Sequence, residues 1–434
     1  MTINSNHTSI NNEHYTTAIV GAGFTGLFTA LHLCHHNYLR PTILIDPQER
    51  FVFKPLLYEV LSGEMEVDQV LPRYEELLDC SNITYIQGSV DEIDFKHRQL
   101  KLSSGLDYSY ENLVLGLGSV ACYFGIEGAR ENTFAFRNGD DAMTLRNHLR
   151  QQLQLATQTE DETARHQLLT IAIVGAGPSG IEIASTLADW LPQWYHQLGG
   201  NPAEVQVIIL DMVSEILTGD INVHLREKAE KALQERVVPV EVRLEAKVSE
   251  VSPEYLEYKQ NNQLHKLATG TVIWTAGNAV HPLIKKLSIS PEQHDQQNRL
   301  RVTPTLQLRE FPEVFVGGDS AVLDQALPPT AQVAYQQGIA IANNLIALAE
   351  QELLEPSEIK LRGTLMKLGL EAAAANLFER FVIAGQPGHL VRQGTYLELL
   401  PTPVHNFKAT VDWITDEIFN DHAPPSPSRQ KVVR

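Results

Sequence analysis

Thr16-Thr-Ala-Ile-Val-Gly-Ala-Gly-Phe-Thr-Gly-Leu-Phe-Thr-Ala-Leu31 decides the fold. It reads as a short buried strand, a glycine turn and a helix. Gly21 permits the tight turn, Gly23 lets the backbone approach a pyrophosphate, and Gly26 lets helix and strand pack side by side. The helix then presents free N–H groups to the phosphate. A second strand, Thr42-Ile-Leu-Ile-Asp46, ends in an acid about twenty residues past the third glycine, where a ribose hydroxyl needs an acceptor. These residues predict a dinucleotide site.

The motif repeats at Thr170-Ile-Ala-Ile-Val-Gly-Ala-Gly-Pro-Ser-Gly-Ile-Glu-Ile-Ala184, with Gly175, Gly177 and Gly180 in register. Pro178 suits the first helical position, where its missing N–H costs nothing. Val205-Gln-Val-Ile-Ile-Leu-Asp211 supplies the second strand and its acid, and the turn Gly199-Gly-Asn-Pro202 accounts for the longer spacing. Two fingerprints in one chain are the plan of a two-dinucleotide flavoprotein, one fold for FAD and one for NAD(P)H. The fold class is therefore α/β, with two Rossmann-like domains and a C-terminal amphipathic helical region.

Between and after the fingerprints, several stretches fall where a flavin would lie. Phe51-Val-Phe-Lys-Pro-Leu-Leu-Tyr-Glu59 is an aromatic loop entering a helix, with Lys54 placed to contact the flavin. Glu111-Asn-Leu-Val-Leu-Gly-Leu-Gly-Ser119 is a buried strand ending in glycines. Thr271-Val-Ile-Trp-Thr-Ala-Gly277 closes the second domain, and Val314-Phe-Val-Gly-Gly-Asp319 returns to the first. Asp319 can accept hydrogen bonds from ribityl hydroxyls. Pro328-Pro-Thr-Ala-Gln-Val-Ala-Tyr-Gln-Gln-Gly338 then opens a helix whose N-terminus would stabilise reduced, anionic flavin. The expected cofactor contacts are Gly21, Ala22, Gly23, Thr25, Gly26, Asp46, Lys54, Gly118, Ser119, Gly318, Asp319, Ala331 and Gln332. For the nicotinamide cofactor they are Gly175, Gly177, Ser179, Gly180, Asp211 and Gly277.

The bulk numbers narrow the classes further. The chain has 434 residues, 43% hydrophobic, and a formal charge of −19, which excludes a nucleic-acid partner because a polyphosphate backbone needs a basic surface. From Glu355 to Arg434 there are nine Lys/Arg and nine Asp/Glu, so the acid excess lies upstream of this tail. Cys34, Cys80 and Cys122 form no close pair, so neither a local redox disulfide nor a metal site is expected, and each reads as a small core residue in a reducing compartment. The first fourteen residues resemble neither a signal nor a transit peptide and read as a loose tail. No run of about eighteen apolar residues occurs. From His405, residues Phe407, Val411, Ile414 and Ile418 recur at helical spacing, beside Trp413 and Phe419. They predict an amphipathic helix, and the Pro/Ser-rich end from Ala423 reads as disordered. The domain plan is residues 15–145 with 300–354 for FAD, 165–299 for NAD(P)H, and 355–422 for docking or dimerisation.

Taken together, these residues resemble the type II NADH dehydrogenases, the single-subunit, non-proton-pumping NAD(P)H:quinone oxidoreductases. The resemblance runs from about Tyr15 to Phe419 and rests most on Phe53-Lys-Pro-Leu-Leu-Tyr-Glu59, Gly177-Pro-Ser-Gly-Ile-Glu182, Trp274-Thr-Ala-Gly277 and Thr330-Ala-Gln-Val-Ala-Tyr-Gln-Gln337. Arg50-Phe-Val-Phe-Lys-Pro, Leu61-Ser-Gly-Glu64 and Leu400-Pro-Thr402 look like the cyanobacterial and plastid branch, some of whose members reduce demethylphylloquinone.

The resemblance implies a relay in which NAD(P)H reduces FAD and a quinone then collects two electrons. It implies that Glu182 handles protons beside the nicotinamide and quinone, and that Gln332, with Tyr335 and Gln336, lines the quinone pocket. It implies peripheral membrane docking through the segment from Tyr396 to Trp413, on a cytoplasmic or stromal-like face, with a homodimer as a further expectation. The quinone would be of the plastoquinone, ubiquinone or naphthoquinone type. Asp211 accepts from the 2′-hydroxyl of NADH and repels the phosphate of NADPH, and the Met-Val-Ser-Glu that follows holds no Arg. NADH is therefore the expected donor, although that branch is associated with NADPH. Disulfide reductases and sulfide:quinone reductases need cysteines this chain lacks. A flavin-binding redox sensor with little turnover is the rival from another class.

Overall fold

The computed structural model describes residues 13–78, 82–219, 222–361, 363–377 and 381–398. The chain divides into two compact units, each assembled from three separated segments. One takes residues up to Phe51 together with Pro72–Val120 and Asn278–Leu361. The other takes Val52–Leu71, Ala121–Gly277 and the described residues after Leu361.

The first unit is built on a parallel sheet. Strand Glu13–Val20 lies between Thr42–Asp46 and Asp107–Leu115. Ile83–Gln87 extends the sheet on one side and Val314–Val316 on the other, all parallel. Ala18, Ile19, Ile43, Leu44, Leu113 and Val114 are all fully buried. Unbroken apolar runs of this kind are what a sheet covered on both faces requires. The antiparallel strands Val90–Asp94 and Gln99–Leu102 join through the first half of Asp107–Leu115. The strand order reverses beside Glu13–Val20, which puts the Gly21 turn at the switch point where such sheets bind ligands.

Two helices of this unit are held together by a missing side chain. Helix Phe24–His35 packs on helix Ala331–Glu350. A Cβ at Gly338 would stand 2.5 Å from the Thr25 carbonyl oxygen. Across the seam, the Thr25 hydroxyl donates to the Ala334 carbonyl (3.2 Å) and the Thr29 hydroxyl to the Gly338 carbonyl (3.0 Å).

The second unit repeats the plan on four parallel strands, in the order Glu241–Arg243, Gln206–Leu210, Thr170–Val174 and Thr271–Trp274. An antiparallel sheet of Lys247–Val251, Tyr255–Gln260 and Gln263–Ala268 shares its core, where Ala172, Ile208, Val248, Leu256 and Trp274 meet. The 20-residue helix Pro178–Gln197 follows the second glycine turn, with Pro178 in its first turn as expected.

Two expectations need correction. The tail region was read as helical, but its described part begins as an antiparallel sheet, Gly363–Lys367, Ala373–Leu377 and Phe381–Gly385, before helix Gln386–Glu398. The alanine run fits a strand because small side chains let the helix lie close: a Cβ at Gly388 would stand 2.4 Å from the Ala373 carbonyl oxygen. The amphipathic segment from His405 lies outside the described residues. Secondly, Cys34 is disulfide-bonded rather than a lone core thiol. Cys122 is free, and Cys80 lies outside the described residues.

Candidate active site

The two glycine turns are near copies in detail. Gly21 and Gly175 have φ of +93° and +116°, a region that L side chains avoid. A Cβ on either would also strike the backbone of the neighbouring strand end, 2.6 Å from the Gly116 oxygen and 2.9 Å from the Ala276 nitrogen. Gly26 and Gly180 are closed more tightly still, with a Cβ at 1.8 and 1.9 Å from the Gly21 and Gly175 oxygens. The middle glycines differ. A Cβ on Gly23 would meet one atom, at 4.0 Å, and on Gly177 none within 4 Å. Each turn therefore leaves a free hollow at a helix N-terminus, the place a pyrophosphate occupies. The residues present fit two dinucleotides.

The acids are placed alike. Ala22 N–H donates to Asp46 Oδ2 at 2.7 Å, and Ala176 N–H to Asp211 Oδ2 at 2.6 Å. The other oxygens accept from Gln48 N–H (2.8 Å) and Val213 N–H (3.3 Å). Each carboxylate thus fixes its glycine turn while lone pairs remain for a ribose. Burial lifts the Asp46 carboxyl, and the two N–H groups pull it back. Beside Asp211 lies Arg243, whose carbonyl accepts the Asp211 N–H (3.0 Å). Its guanidinium is engaged with Glu241 (2.8 Å) and the Tyr258 hydroxyl (3.0 Å). Sequence reading missed this residue because it arrives from the next strand.

Around the first turn, Ser119 donates to Asp319 at 2.7 Å, so two candidates from distant loops come together. Gly118 (φ +63°) meets open space. Gly318 N–H is taken by the buried Gln337 side chain (2.7 Å), a residue the sequence reading passed over for its neighbours. Gln336 instead braces the chain, donating to the Gln332 and Lys360 carbonyls and accepting the Lys360 N–H (3.0 Å). Tyr335 packs against Phe28, ring centroids 5.5 Å apart. Thr25 is committed to the helix seam. Ala331 opens its helix after the cap Thr330, and Gln332 follows in the first turn.

In the second unit, Gly277 (φ +74°) makes room for the Phe124 ring, and Lys54 starts the short helix Lys54–Leu56. Ser179 and Glu182 both lie within hydrogen-bonding reach of the Tyr58 hydroxyl. Glu182 is 8% exposed and accepts the Lys367 N–H at 2.8 Å. Burial raises its carboxyl above the ordinary value, against the pull of Arg392.

Next to Glu182 sits a buried ionic cluster that the sequence did not reveal. Glu59 Oε1 accepts from Lys367 Nζ (3.1 Å) and Arg392 Nη1 (2.6 Å), and all three side chains are fully buried. Lys367 also pairs with Glu64. Burial alone would raise the Glu59 carboxyl, but Arg392 and then Lys367 outweigh it and hold it at about 2.

Against known proteins, the chain matches the pyridine nucleotide-disulphide oxidoreductase family over residues 15–338, about three quarters of its length. An alternative NAD(P)H-ubiquinone oxidoreductase of Arabidopsis thaliana is 30% identical, covering 97% of this chain and 85% of its own. The chain belongs to the pyridine nucleotide-disulphide oxidoreductases, in their type II NAD(P)H:quinone oxidoreductase branch. A demethylphylloquinone reductase of a Synechocystis strain is 29% identical to this oxidoreductase, covering 92% of this chain and 95% of its own. NDH2 of Plasmodium falciparum, solved with NADH, shares the fold at a TM-score of 0.84, with 19% identity over 94% of this chain and 99% of that one. Among the described residues of this oxidoreductase, no group of His, Cys, Asp and Glu could hold a metal ion, and no helix is long and apolar enough to cross a membrane.

Proposed function

We propose that this chain oxidises NADH through FAD and reduces a lipid quinone at a membrane surface. The observation that carries the reading is the paired hollows at Gly23 and Gly177, the second opening a helix whose next turn holds the buried Glu182. FAD is assigned to the first hollow, with Asp46, Ser119 and Asp319 as polar partners, and NADH to the second, with Asp211. Bound FAD supplies the two-electron acceptor. Glu182 is assigned the proton handling on the quinone side, because burial raises its carboxyl and so favours the protonated form that a proton donor needs. Gln332, in the first turn of the helix whose N-terminus is assigned to the flavin, is assigned to the quinone pocket. Docking is assigned to the amphipathic segment from His405, with the tail's balanced charge as its support.

The test is anaerobic reduction of the purified yellow protein by NADH and by NADPH, followed by a short-chain quinone. Rapid bleaching by NADH with colour restored by quinone is the expected result; bleaching that quinone cannot reverse overturns the acceptor. A second reading is NADPH-dependent reduction of demethylphylloquinone, the quinone in the name of the Synechocystis relative. Bleaching by NADPH alone would favour it.

Asp211→Arg should move the NADH-to-NADPH ratio of kcat/KM toward NADPH by about tenfold or more, since a repelling carboxylate becomes an attracting cation. An unchanged ratio removes Asp211 from cofactor choice. Glu182→Gln should keep FAD and NADH-dependent bleaching while slowing quinone reduction about 10²-fold. Equal rates remove Glu182 from the proton step.

A further inference from the structure

The two glycine turns are alike in shape but are held by different means. In each, the alanine between the first two glycines is gripped at both polar atoms. Its N–H goes to the acid, as described above, and its carbonyl goes to a second donor. In the first turn that donor is a side chain, the Tyr74 hydroxyl, 2.9 Å from the Ala22 oxygen. In the second it is backbone, the Leu217 N–H, 2.9 Å from the Ala176 oxygen. Leu217 pays for that position in backbone strain. Its φ is +52°, in the left-handed region that leucine rarely adopts, and its side chain is fully buried.

Such a conformation persists only where the surroundings over-determine it. Here the support comes from helix Val223–Gln234, anchored by the buried Leu225, Ala229 and Leu233. From that helix Arg226 reaches back with both ends of its fork. Nη2 donates to the Leu217 carbonyl (3.3 Å) and Nη1 to Glu215 Oε2 (2.6 Å). The start of the same loop is pinned separately, where Asp211 and Val213 pair with the backbone of Arg243, Glu245 and Ala246. Arg226 ties its far end. The grip then passes to the cofactor site through one peptide. Across a trans peptide the Gly177 N–H points opposite to the Ala176 carbonyl, so holding the carbonyl aims the N–H. Gly177 caps helix Pro178–Gln197, and its N–H is among the donors that a pyrophosphate meets there.

We propose that Arg226 is a positioning residue for the nicotinamide cofactor: it holds Leu217 in its strained conformation, and Leu217 aims the Ala176–Gly177 peptide at the pyrophosphate. Arg226 sets how tightly the cofactor is held without touching it. The proposal rests on the assignment of NAD(P)H to the second hollow. The difference between the turns suits the two occupants assigned to them. A buried phenol serves the turn of FAD, which stays bound. A loop under strain serves the turn of the cofactor that must leave after every hydride transfer.

The test is anaerobic rapid mixing of the FAD-loaded protein with whichever of NADH and NADPH bleaches the wild type, read as Kd and limiting rate. Arg226→Met should raise Kd about tenfold, the worth of one hydrogen bond. Its FAD content should match wild type, and its limiting rate should stay within about twofold. A fall in FAD content and Tm with Kd unchanged would mean a merely structural role and overturns the proposal. The ratio of variant to wild-type Kd should hold from about 0.05 to about 0.5 M salt. A ratio collapsing toward one marks attraction of the cofactor by a distant charge, and also overturns it. Arg226→Lys, whose single ammonium cannot span Glu215 and the Leu217 carbonyl, should show a smaller rise of the same kind. It carries the test if the methionine variant does not fold, and a wild-type Kd there overturns the proposal. If Kd follows this pattern but quinone cannot restore the colour, the positioning role stands and the quinone reading falls. Bleaching by neither cofactor overturns both.

Discussion

Gly26→Val should yield no folded, yellow protein. The first atom of the new side chain would stand 1.8 Å from the Gly21 carbonyl oxygen and 3.1 Å from the Ile19 methyl. Both obstacles belong to the turn and strand that begin the central sheet, so neither can move without unpairing the Ile45 carbonyl from the Gly21 N–H (2.8 Å). Overpacking into yielding side chains costs about 1–3 kcal/mol; here the clash is with backbone, and the cost should exceed about 4 kcal/mol. That is a large part of the roughly 5–15 kcal/mol by which a domain is stable. Gly23→Val is the contrasting variant. Its backbone, at φ −68° and ψ −163°, is ordinary, and the space is open. It should fold with a near-normal Tm and lose FAD. Circular dichroism melts with flavin absorbance check both, and a folded Gly26→Val or an unfolded Gly23→Val would sink the assignment of roles within the motif.

Arg392→Met should be nearly as damaging. It removes the 2.6 Å bond to Glu59 and the Nη2 bond to the Pro55 carbonyl, and leaves Glu59 with Lys367 alone. Removing one partner of a buried ion pair costs about 3–5 kcal/mol because the remaining charge is uncompensated. The Tm should fall by roughly 10 °C or more. The effect has a pH signature. The Glu59 carboxyl is depressed to about 2 from 4.5, so its contribution is fully present above 4.5 and is lost as pH falls toward 2. With Arg392 gone, Glu59 protonates nearer its ordinary value, and acid unfolding should begin at higher pH than in wild type. Coincident acid transitions would show that Arg392 does not govern Glu59.

The glycine turns were legible because their chemistry is local: six glycines at fixed spacing, an apolar run before each and an acid after. Asp46 and Asp211 could be placed for the same reason. What the sequence hid was brought together from far away. Glu59 meets Lys367 and Arg392 across some three hundred residues of chain, and no periodicity connects a lone Glu after an aromatic loop to a Lys in a tail strand. Gln337 was passed over for Gln336 because adjacent glutamines on a helix point in different directions, and only packing tells which reaches Gly318. The alanines of strand Ala373–Leu377 carry no signal of their own, because alanine suits helix and strand alike once a close neighbour demands a small side chain.

Each unit is closed by pieces made late. The first receives strand Val314–Val316 against Leu113–Leu115, and the second receives Lys367 and Arg392 against Glu59. On the ribosome, then, the edge of Asp107–Leu115 that takes Val314–Val316 stays unpartnered for some two hundred residues of synthesis, and Glu59 waits longer for both of its cations. Contacts of such long sequence separation make folding slow and leave apolar surface open to aggregation meanwhile. A nascent chain arrested after residue 300 would hold both glycine turns and neither finished unit, so protease resistance should appear only once residues 314–392 have been made.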